Sequence, residues 1–380
     1  MKVLHLIGSA GFYGAEAMLL NLMTAQQRLG AEPALIAFSK TGSAGSEVAI
    51  RARGEGLRAD VFEGTARFEG RALKTIAEAV VDRRIQLTHS HGYKADFYAF
   101  LLSRRTGVPF AATCHLWTRS TTAIRLYEWL DARILCRANA VVAVSETIAH
   151  DLRSAGISER RISVIHNGIE TSKSVGAKGT LRAELGLGSA TLIGAVGRLD
   201  EQKGYKYLIE AAEGIIREDP GVYFAVIGDG PLRNSLTEMI HSRHLQKNFF
   251  LLGKRSDMAS IYASLDLLVM PSLAEGLPMV ILEGLSAALP IIATRVGAIP
   301  ELIKPEETGF LVEAGNASAL RSSLLEALHD PGRARRMAIQ GRTLVESRFS
   351  AENTARAYLS LYDTVTPQSQ FDLKPSRAEA

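Results

Sequence analysis

The chain has 380 residues, a formal net charge of +4, 47% hydrophobic and 22% charged residues, the balance of a globular protein of two or three domains. No apolar run approaches the ~18 residues of a membrane span, and no Lys/Arg run or basic–aromatic stripe marks a nucleic-acid partner. The only two cysteines, Cys114 and Cys136, give neither a disulfide framework nor a close-spaced metal pair, and read as buried thiols in a reducing cytoplasm.

The first residues, Met-Lys-Val-Leu-His-Leu-Ile-Gly, carry an apolar run too short for a signal peptide and lead into a glycine-rich turn, so they read as a strand. Buried-type apolar runs at 3–7, 34–38, 86–91, 110–114, 141–145 and 163–166 predict strands. Helical periodicity at 16–29, 73–84, 94–104, 122–137 and 146–155 falls between them. Unbroken apolar strands separated by helices imply a parallel sheet covered on both faces. After Asn167-Gly168, a small polar stretch at 171–179 reads as a linker. The alternation then restarts, with strands at 191–196, 223–227, 249–252, 267–270, 291–294 and 309–312. Helices are expected at 207–217, 231–241, 258–264, 280–288, 319–329 and 333–348. Two such arrays predict two Rossmann-like α/β domains facing one another across a cleft, 1–168 and 169–350. A last helix at about 351–363 is expected to pack back on the first domain, and the polar stretch 366–380 to be disordered. The first domain holds 21 Lys and Arg against 15 Asp and Glu, a balance of +6. That charge suits an anionic acceptor or membrane surface, or is simply a basic solvated face.

The most specific signal is the segment from Glu275 to Glu283. An apolar strand ends, a short loop carries Glu275, Gly276 and Leu277, and Pro278 suits the first helical position. A helix start offers free N–H groups and the positive end of its dipole to an anionic or hydroxyl-rich ligand. Two carboxylates flanking it can accept hydrogen bonds from sugar hydroxyls. Upstream, Gly197-Arg198-Leu199-Asp200-Glu201-Gln202-Lys203-Gly204 also follows a strand and sets two cations where a diphosphate would lie. Alone, each group reads as surface charge; their shared position after a strand and before a helix is where open parallel sheets bind ligands. The turn Gly228-Asp229-Gly230-Pro231 and the segment 252–256, with Arg255, end strands at the same sheet edge and are further donor-site candidates.

The loop Gly8-Ser-Ala-Gly11-Phe-Tyr-Gly14 is spaced G-x-x-G-x-x-G, and the second strand ends Ala37-Phe38-Ser39-Lys40 without an acid for a ribose, which argues against a dinucleotide oxidoreductase. His89, His91 and His115 end adjacent strands. They are a candidate zinc set, but no acid or cysteine completes it at ligand-like spacing, and His115 reads better as a hydrogen-bonding group at the cleft mouth. The chain has no D-x-D pair to hold a divalent metal, so neutralising a leaving diphosphate would fall to Arg198, Lys203 and helix N-termini.

From the glycine loop to the last helix, these motifs resemble glycosyltransferase family 4, retaining enzymes of the two-domain GT-B fold. The resemblance is strongest at Gly197-Arg-Leu-x-x-x-Lys-Gly204 and Glu275-x7-Glu283. It implies that Arg198 and Lys203 bind the diphosphate, Glu275 the transferred sugar and Glu283 the ribose. His115 would lie near the reacting sugar and Gly14 near the donor phosphates. It further implies a nucleotide-sugar donor, a glycan, lipid-linked or small-molecule acceptor, retention of configuration without an enzymic base, and no metal or other cofactor. Tyr13 departs from the pattern, since many members carry a glycine there. The remaining alternatives are another GT-B enzyme, an epimerase or sugar phosphorylase, and a non-catalytic scaffold. The segment 115–137, with Trp117, Tyr127, Trp129, Arg119, Arg125, Arg133 and Arg137, either packs on the sheet with its arginines in water or makes peripheral contact with an anionic membrane at its cytoplasmic face; its apolar stripe would be Ile124, Tyr127, Leu130 or Asp131, and Ile134.

Overall fold

The computed structural model describes residues 1–9, 11–39, 46–64, 70–115, 122–171 and 178–366, without the side chains of 122–126. Contacts divide the chain into two compact units, Met1–Gly168 with the chain from Ala351 onward, and Ile169–Ser350. The stretch 367–380, where disorder is expected, lies outside the described residues.

The first unit is built on seven parallel strands: β1 (Lys2–Gly8), β2 (Glu32–Ser39), β3 (Arg58–Glu63), β4 (Leu87–His91), β5 (Phe110–Cys114), β6 (Ala140–Ala143) and β7 (Ile162–Val164). Their order is β3-β2-β1-β4-β5-β6-β7. The central strands β4 and β5 are buried at every position, as helices on both faces require. Sequence periodicity misses the helix Glu47–Gly54 and β3. The reason for β3 is visible in its place: an edge strand reading Arg-Ala-Asp-Val-Phe-Glu, charged at both ends and only partly buried, as edge strands tend to be. The helix Ala351–Val365 packs against Gly14–Arg28 and buries Tyr358 and Tyr362 completely.

The second unit carries β8 (Thr191–Val196), β9 (Val222–Ile227), β10 (Phe249–Gly253), β11 (Leu267–Met270), β12 (Ile291–Thr294) and β13 (Phe310–Val312), parallel and in the order β10-β9-β8-β11-β12-β13. Its core gathers Leu208, Ile209 and Ile215 from one helix onto Phe224, Val269 and Ile292 of the sheet. The chain enters and leaves this unit side by side, Ile169 N–H donating to Phe349 O at 2.9 Å. Among the described residues no helix is long and apolar enough to cross a membrane. Cys114 and Cys136 are unbridged, the latter half-buried rather than buried.

Candidate functional site

In each sheet the strand order reverses beside the first strand of the array, between β8 and β11 and between β1 and β4. Loops leaving neighbouring strands there turn to opposite faces and open a crevice at the carboxyl edge. Both groups of predicted residues fall at these two points.

In the second unit the loop after β8 runs from Gly197 to Gly204, and the loop after β11 from Pro271 to Pro278. Leu273 N–H donates to Gln202 O at 2.7 Å and Gln202 Nε2 to Ala274 O at 2.8 Å, which zips them together. The approach is so close that a Cβ on Gly204, itself at φ +65°, would lie 2.1 Å from Pro271 O. Gly297, at φ +52°, is pressed equally hard against Glu275 O. Only glycine tolerates such geometry.

This zipping brings Lys203 to Glu275. Lys203 Nζ donates to Glu275 Oε1 at 2.6 Å, and Ser272 Oγ donates to the same oxygen at 2.6 Å. Ser272 is itself fixed by Thr294 Oγ1, which donates to Ser272 O at 2.6 Å. Glu275 is buried, and these donors satisfy its carboxylate oxygen. Gly276 O accepts from Ala298 N at 3.0 Å, and Leu277 is buried. Pro278 is the residue before the helix rather than its first turn: the helix is Met279–Ser286, with Pro278 extended at φ −75°, ψ 120° as the N-cap. Glu283 lies one turn in and accepts from Tyr262 Oη at 2.6 Å. Burial, reinforced by the Glu283 charge, pushes the Tyr262 hydroxyl well above its ordinary value, so it remains a donor. Arg198 is more than half exposed and stands 3.9 Å from Asp200.

Arg255 departs from expectation. Its guanidinium is engaged by Glu184 at 2.8 Å and Asp257 at 2.7 Å, two carboxylates that already satisfy its fork. The glycine turn after β9 does meet the edge of the site: Leu199 N–H donates to Asp229 O at 3.1 Å, and a Cβ on Gly230 would lie 2.4 Å from Leu199 O.

In the first unit, Gly14 opens the helix Gly14–Arg28, and Tyr13 N–H donates to Glu16 Oε2 at 3.1 Å. A Cβ added at Gly11 would meet the Tyr13 ring at 2.6 Å. At the carboxyl ends of β1, β4 and β5 lies a cavity of about 240 Å³, lined by Gly8, Glu16, His91, Asp96, His115 and Asp131 among others. His115 is therefore at its wall, linked through Nε2 to His91 Nδ1 at 3.3 Å.

His115 is the accessible end of a buried polar chain. His91 Nε2 meets His5 Nδ1 at 3.3 Å, and His5 Nε2 meets Gln26 Oε1 at 2.9 Å. His89 Nδ1 meets Tyr362 Oη at 2.6 Å and His89 Nε2 meets Thr113 Oγ1 at 2.8 Å. The three histidines whose nitrogens lie close enough to share a metal are His5, His89 and His91, not the set with His115. All six of their ring nitrogens already have partners, which a metal would have to displace. Burial pushes His5 and His115 down to about 4; His89 and His91 are driven further below the ordinary range by burial and then by neighbouring histidines. The cluster is a neutral hydrogen-bonded network. His5 escapes sequence reasoning because it sits inside the first apolar run, and only its pairing with His89 across β1 and β4 reveals it.

The helix Thr122–Leu135 also differs from expectation. Glu128, Asp131, Ala132 and Leu135 face inward, while Trp129 (52% exposed) and Leu130 (45%) face outward. Arg133 lies over the Trp129 ring at 4.1 Å. Leu130 is thus not part of a buried stripe. Trp117 and Arg119 lie outside the described residues, as do the side chains of Ile124 and Arg125.

Comparison with known proteins agrees with this architecture. The family model "Glycosyltransferase Family 4" matches residues 12–173 and "Glycosyl transferases group 1" matches 178–344. The chain is 30% identical over 273 residues to the UDP-Gal:alpha-D-GlcNAc-diphosphoundecaprenol alpha-1,3-galactosyltransferase of Escherichia coli, covering 68% of this chain and 70% of that one. It is 27% identical over 286 residues to the alpha-D-kanosaminyltransferase of Streptomyces kanamyceticus, covering 70% and 74%. Among solved structures, Anabaena Alr3699/HepE in complex with UDP-glucose superposes with a TM-score of 0.84 at 20% identity, covering 96% of this chain and 100% of that one. With two parallel α/β units and relatives of this kind, the chain is a GT-B protein and belongs to glycosyltransferase family 4.

Proposed function

We propose that this glycosyltransferase moves a hexose-type sugar, with retention of configuration and without a metal, from a nucleotide-sugar donor to a hydroxyl of a glycan, lipid-linked or small-molecule acceptor. The observation that supports it most is the Lys203–Glu275 pair at the β8/β11 crevice, beside the helix that begins at Met279. In this reading Lys203 and Arg198 take the donor diphosphate, and the helix start adds its dipole to the charge that develops on the leaving group. Glu275 then accepts from a sugar hydroxyl. Glu283, oriented by Tyr262, accepts from the ribose. In the same reading His115, held neutral by burial, makes a hydrogen bond to the reacting sugar.

A uridine diphosphate donor is the first to test, because the E. coli relative is named for UDP-galactose. That relative's diphosphoundecaprenol acceptor, with exposed Trp129 and Leu130, supports a lipid-linked acceptor met at the cytoplasmic face of a membrane. The experiment is a thermal-shift panel of UDP-, GDP-, ADP- and dTDP-sugars, because selective binding stabilises the native state by mass action. Selective stabilisation by one nucleotide, lost in Lys203→Ala, is expected. No shift with any of them overturns the donor assignment. Consumption of a nucleotide sugar without acceptor, yielding its epimer, would indicate an epimerase instead.

A further inference from the structure

A chain of hydrogen bonds has a direction, because each link needs a donor on one side and an acceptor on the other. The buried network of the first unit runs unbroken from the helix Ala351–Val365 to His115. Tyr362 Oη lies between His89 Nδ1 at 2.6 Å and Gln26 Nε2 at 3.4 Å. Gln26 Oε1 meets His5 Nε2 at 2.9 Å, His5 Nδ1 meets His91 Nε2 at 3.3 Å, and His91 Nδ1 meets His115 Nε2 at 3.3 Å. The path enters His5 and His91 by one ring nitrogen and leaves by the other, so a direction imposed at one end is passed to the next ring.

The members differ in how firmly they hold a direction. A hydroxyl rotates its hydrogen, and a neutral imidazole carries its proton on either nitrogen. Gln26, completely buried, has an acceptor and a donor that are different elements. Its carbonyl oxygen can only accept, so His5 Nε2 bears a proton and donates to it. Burial keeps His5, His91 and His115 neutral, with one proton to each ring. His5 Nδ1 is therefore bare and accepts from His91 Nε2–H. His91 Nδ1 is bare in its turn and accepts from His115 Nε2–H. The other arm agrees. The Gln26 amide nitrogen donates to Tyr362 Oη, the Tyr362 hydrogen goes to His89 Nδ1, and His89 Nε2–H donates to Thr113 Oγ1 at 2.8 Å. Turning the Gln26 amide over would require every one of these protons to move with it.

We infer that Gln26 is a positioning residue, acting through His5 and His91 to hold His115 as its Nε2–H tautomer and so to leave Nδ1 of His115 as a hydrogen-bond acceptor. This role rests on the glycosyltransferase reading above, in which His115 meets the reacting sugar. A bare Nδ1 takes a hydrogen bond from a sugar hydroxyl and has no hydrogen to give to a carboxylate or ether oxygen.

Tautomers are read in the full, ligand-free chain by nitrogen NMR with isotope-labelled histidine, since bare and proton-bearing nitrogens of a neutral ring resonate far apart. Spectra are taken at pH ~7.5, above the ordinary histidine value of ~6.5, and the His115 signals are identified by their loss in His115→Asn. His115 should show a protonated Nε2 and a bare Nδ1. In Gln26→Leu, which removes the fixed acceptor and donor together, a second His115 population with its proton on Nδ1 should appear. A proton on Nδ1 in the unaltered chain overturns the inference. So does a His115 that stays wholly Nε2–H in folded Gln26→Leu. Should that variant fail to fold, the tautomer of the unaltered chain still decides. UDP is titrated into the same samples: binding of UDP alongside an Nδ1–H His115 rejects this inference alone. Failure to bind UDP with His115 still Nε2–H rejects the donor reading and supports the direction derived from Gln26.

Discussion

Lys203 and Glu275 lie 72 residues apart in the chain and 2.6 Å apart in space, one on each side of the crevice between β8 and β11. Neither residue has much freedom. Lys203 is held by a loop that must turn through Gly204, and Glu275 is pinned by Ser272 and by the close approach of Gly297. The pair is a preformed ion pair, and under the proposed function the donor diphosphate would compete with Glu275 for the Lys203 ammonium.

Lys203→Ala is therefore expected to lower turnover by ~10²-fold or more, since one preorganised donor on developing charge is worth roughly 3 kcal/mol. It also leaves buried Glu275 with Ser272 as its remaining side-chain donor among the described residues, so the ligand-free protein should melt lower. Steady-state kinetics and a melting curve read both effects. Near-normal turnover in a folded variant removes Lys203 from the donor site.

Tyr262→Phe tests Glu283 without touching it. Loss of the 2.6 Å hydrogen bond removes one donor that orients the carboxylate, and one such bond is worth about 1 kcal/mol. Nucleotide affinity should weaken roughly fivefold while the fold persists. Calorimetric titration with UDP measures it, and unchanged affinity would separate Glu283 from the ribose.

Activity should persist in excess EDTA if, as proposed, Arg198 and Lys203 bring the positive charge that a D-x-D-bound metal would otherwise supply. Activity lost to chelation and restored by Mg²⁺ or Mn²⁺ counts against this. Restoration by Zn²⁺ alone would direct attention to His5, His89 and His91.

The histidine network makes the first unit sensitive to acid. His5 is lowered to about 4 in the folded chain from an ordinary 6.5, so the unfolded chain binds more protons between those values. Stability is thus fully present above pH ~6.5 and declines as pH falls toward ~4. The slope is at most about 1.4 kcal/mol per pH unit for this histidine. His5→Asn, which cannot titrate, should flatten the dependence of Tm on pH in this window. An equally steep dependence in the variant would exclude His5 as a source.

Trp129 and Leu130 should anchor the protein to anionic vesicles, since they face outward beside Arg133 on a unit with a formal balance of +6 over residues 1–168. Co-sedimentation at two salt concentrations is expected to show binding to anionic but not neutral lipid, weaker at high salt and reduced in Trp129→Ala. Equal, negligible binding in all conditions leaves the helix structural.

The strand runs, the helix periodicity and the place of the break at Gly168 are properties of local sequence, and they sufficed to predict two parallel α/β arrays. Buried parallel strands must be apolar throughout, so β4, β5, β8 and β11 announce themselves. An edge strand such as β3 need not, and was missed. Arg198, Lys203, Glu275 and Glu283 were legible as candidates because each follows a strand and precedes or begins a helix. What each touches was decided by the tertiary structure. It tied Lys203 to Glu275 and Tyr262 to Glu283, gave Arg255 to Glu184 and Asp257, and placed Pro278 before its helix. It also drew His5, Gln26 and Tyr362 around His89, residues spread over 358 positions of chain that no local pattern connects. On the helix Thr122–Leu135 it turned acids inward and a tryptophan outward, against hydrophobic periodicity. Periodicity records how a segment separates water from oil; it carries no information about which polar groups meet, because those contacts are made by chain closure over long separations.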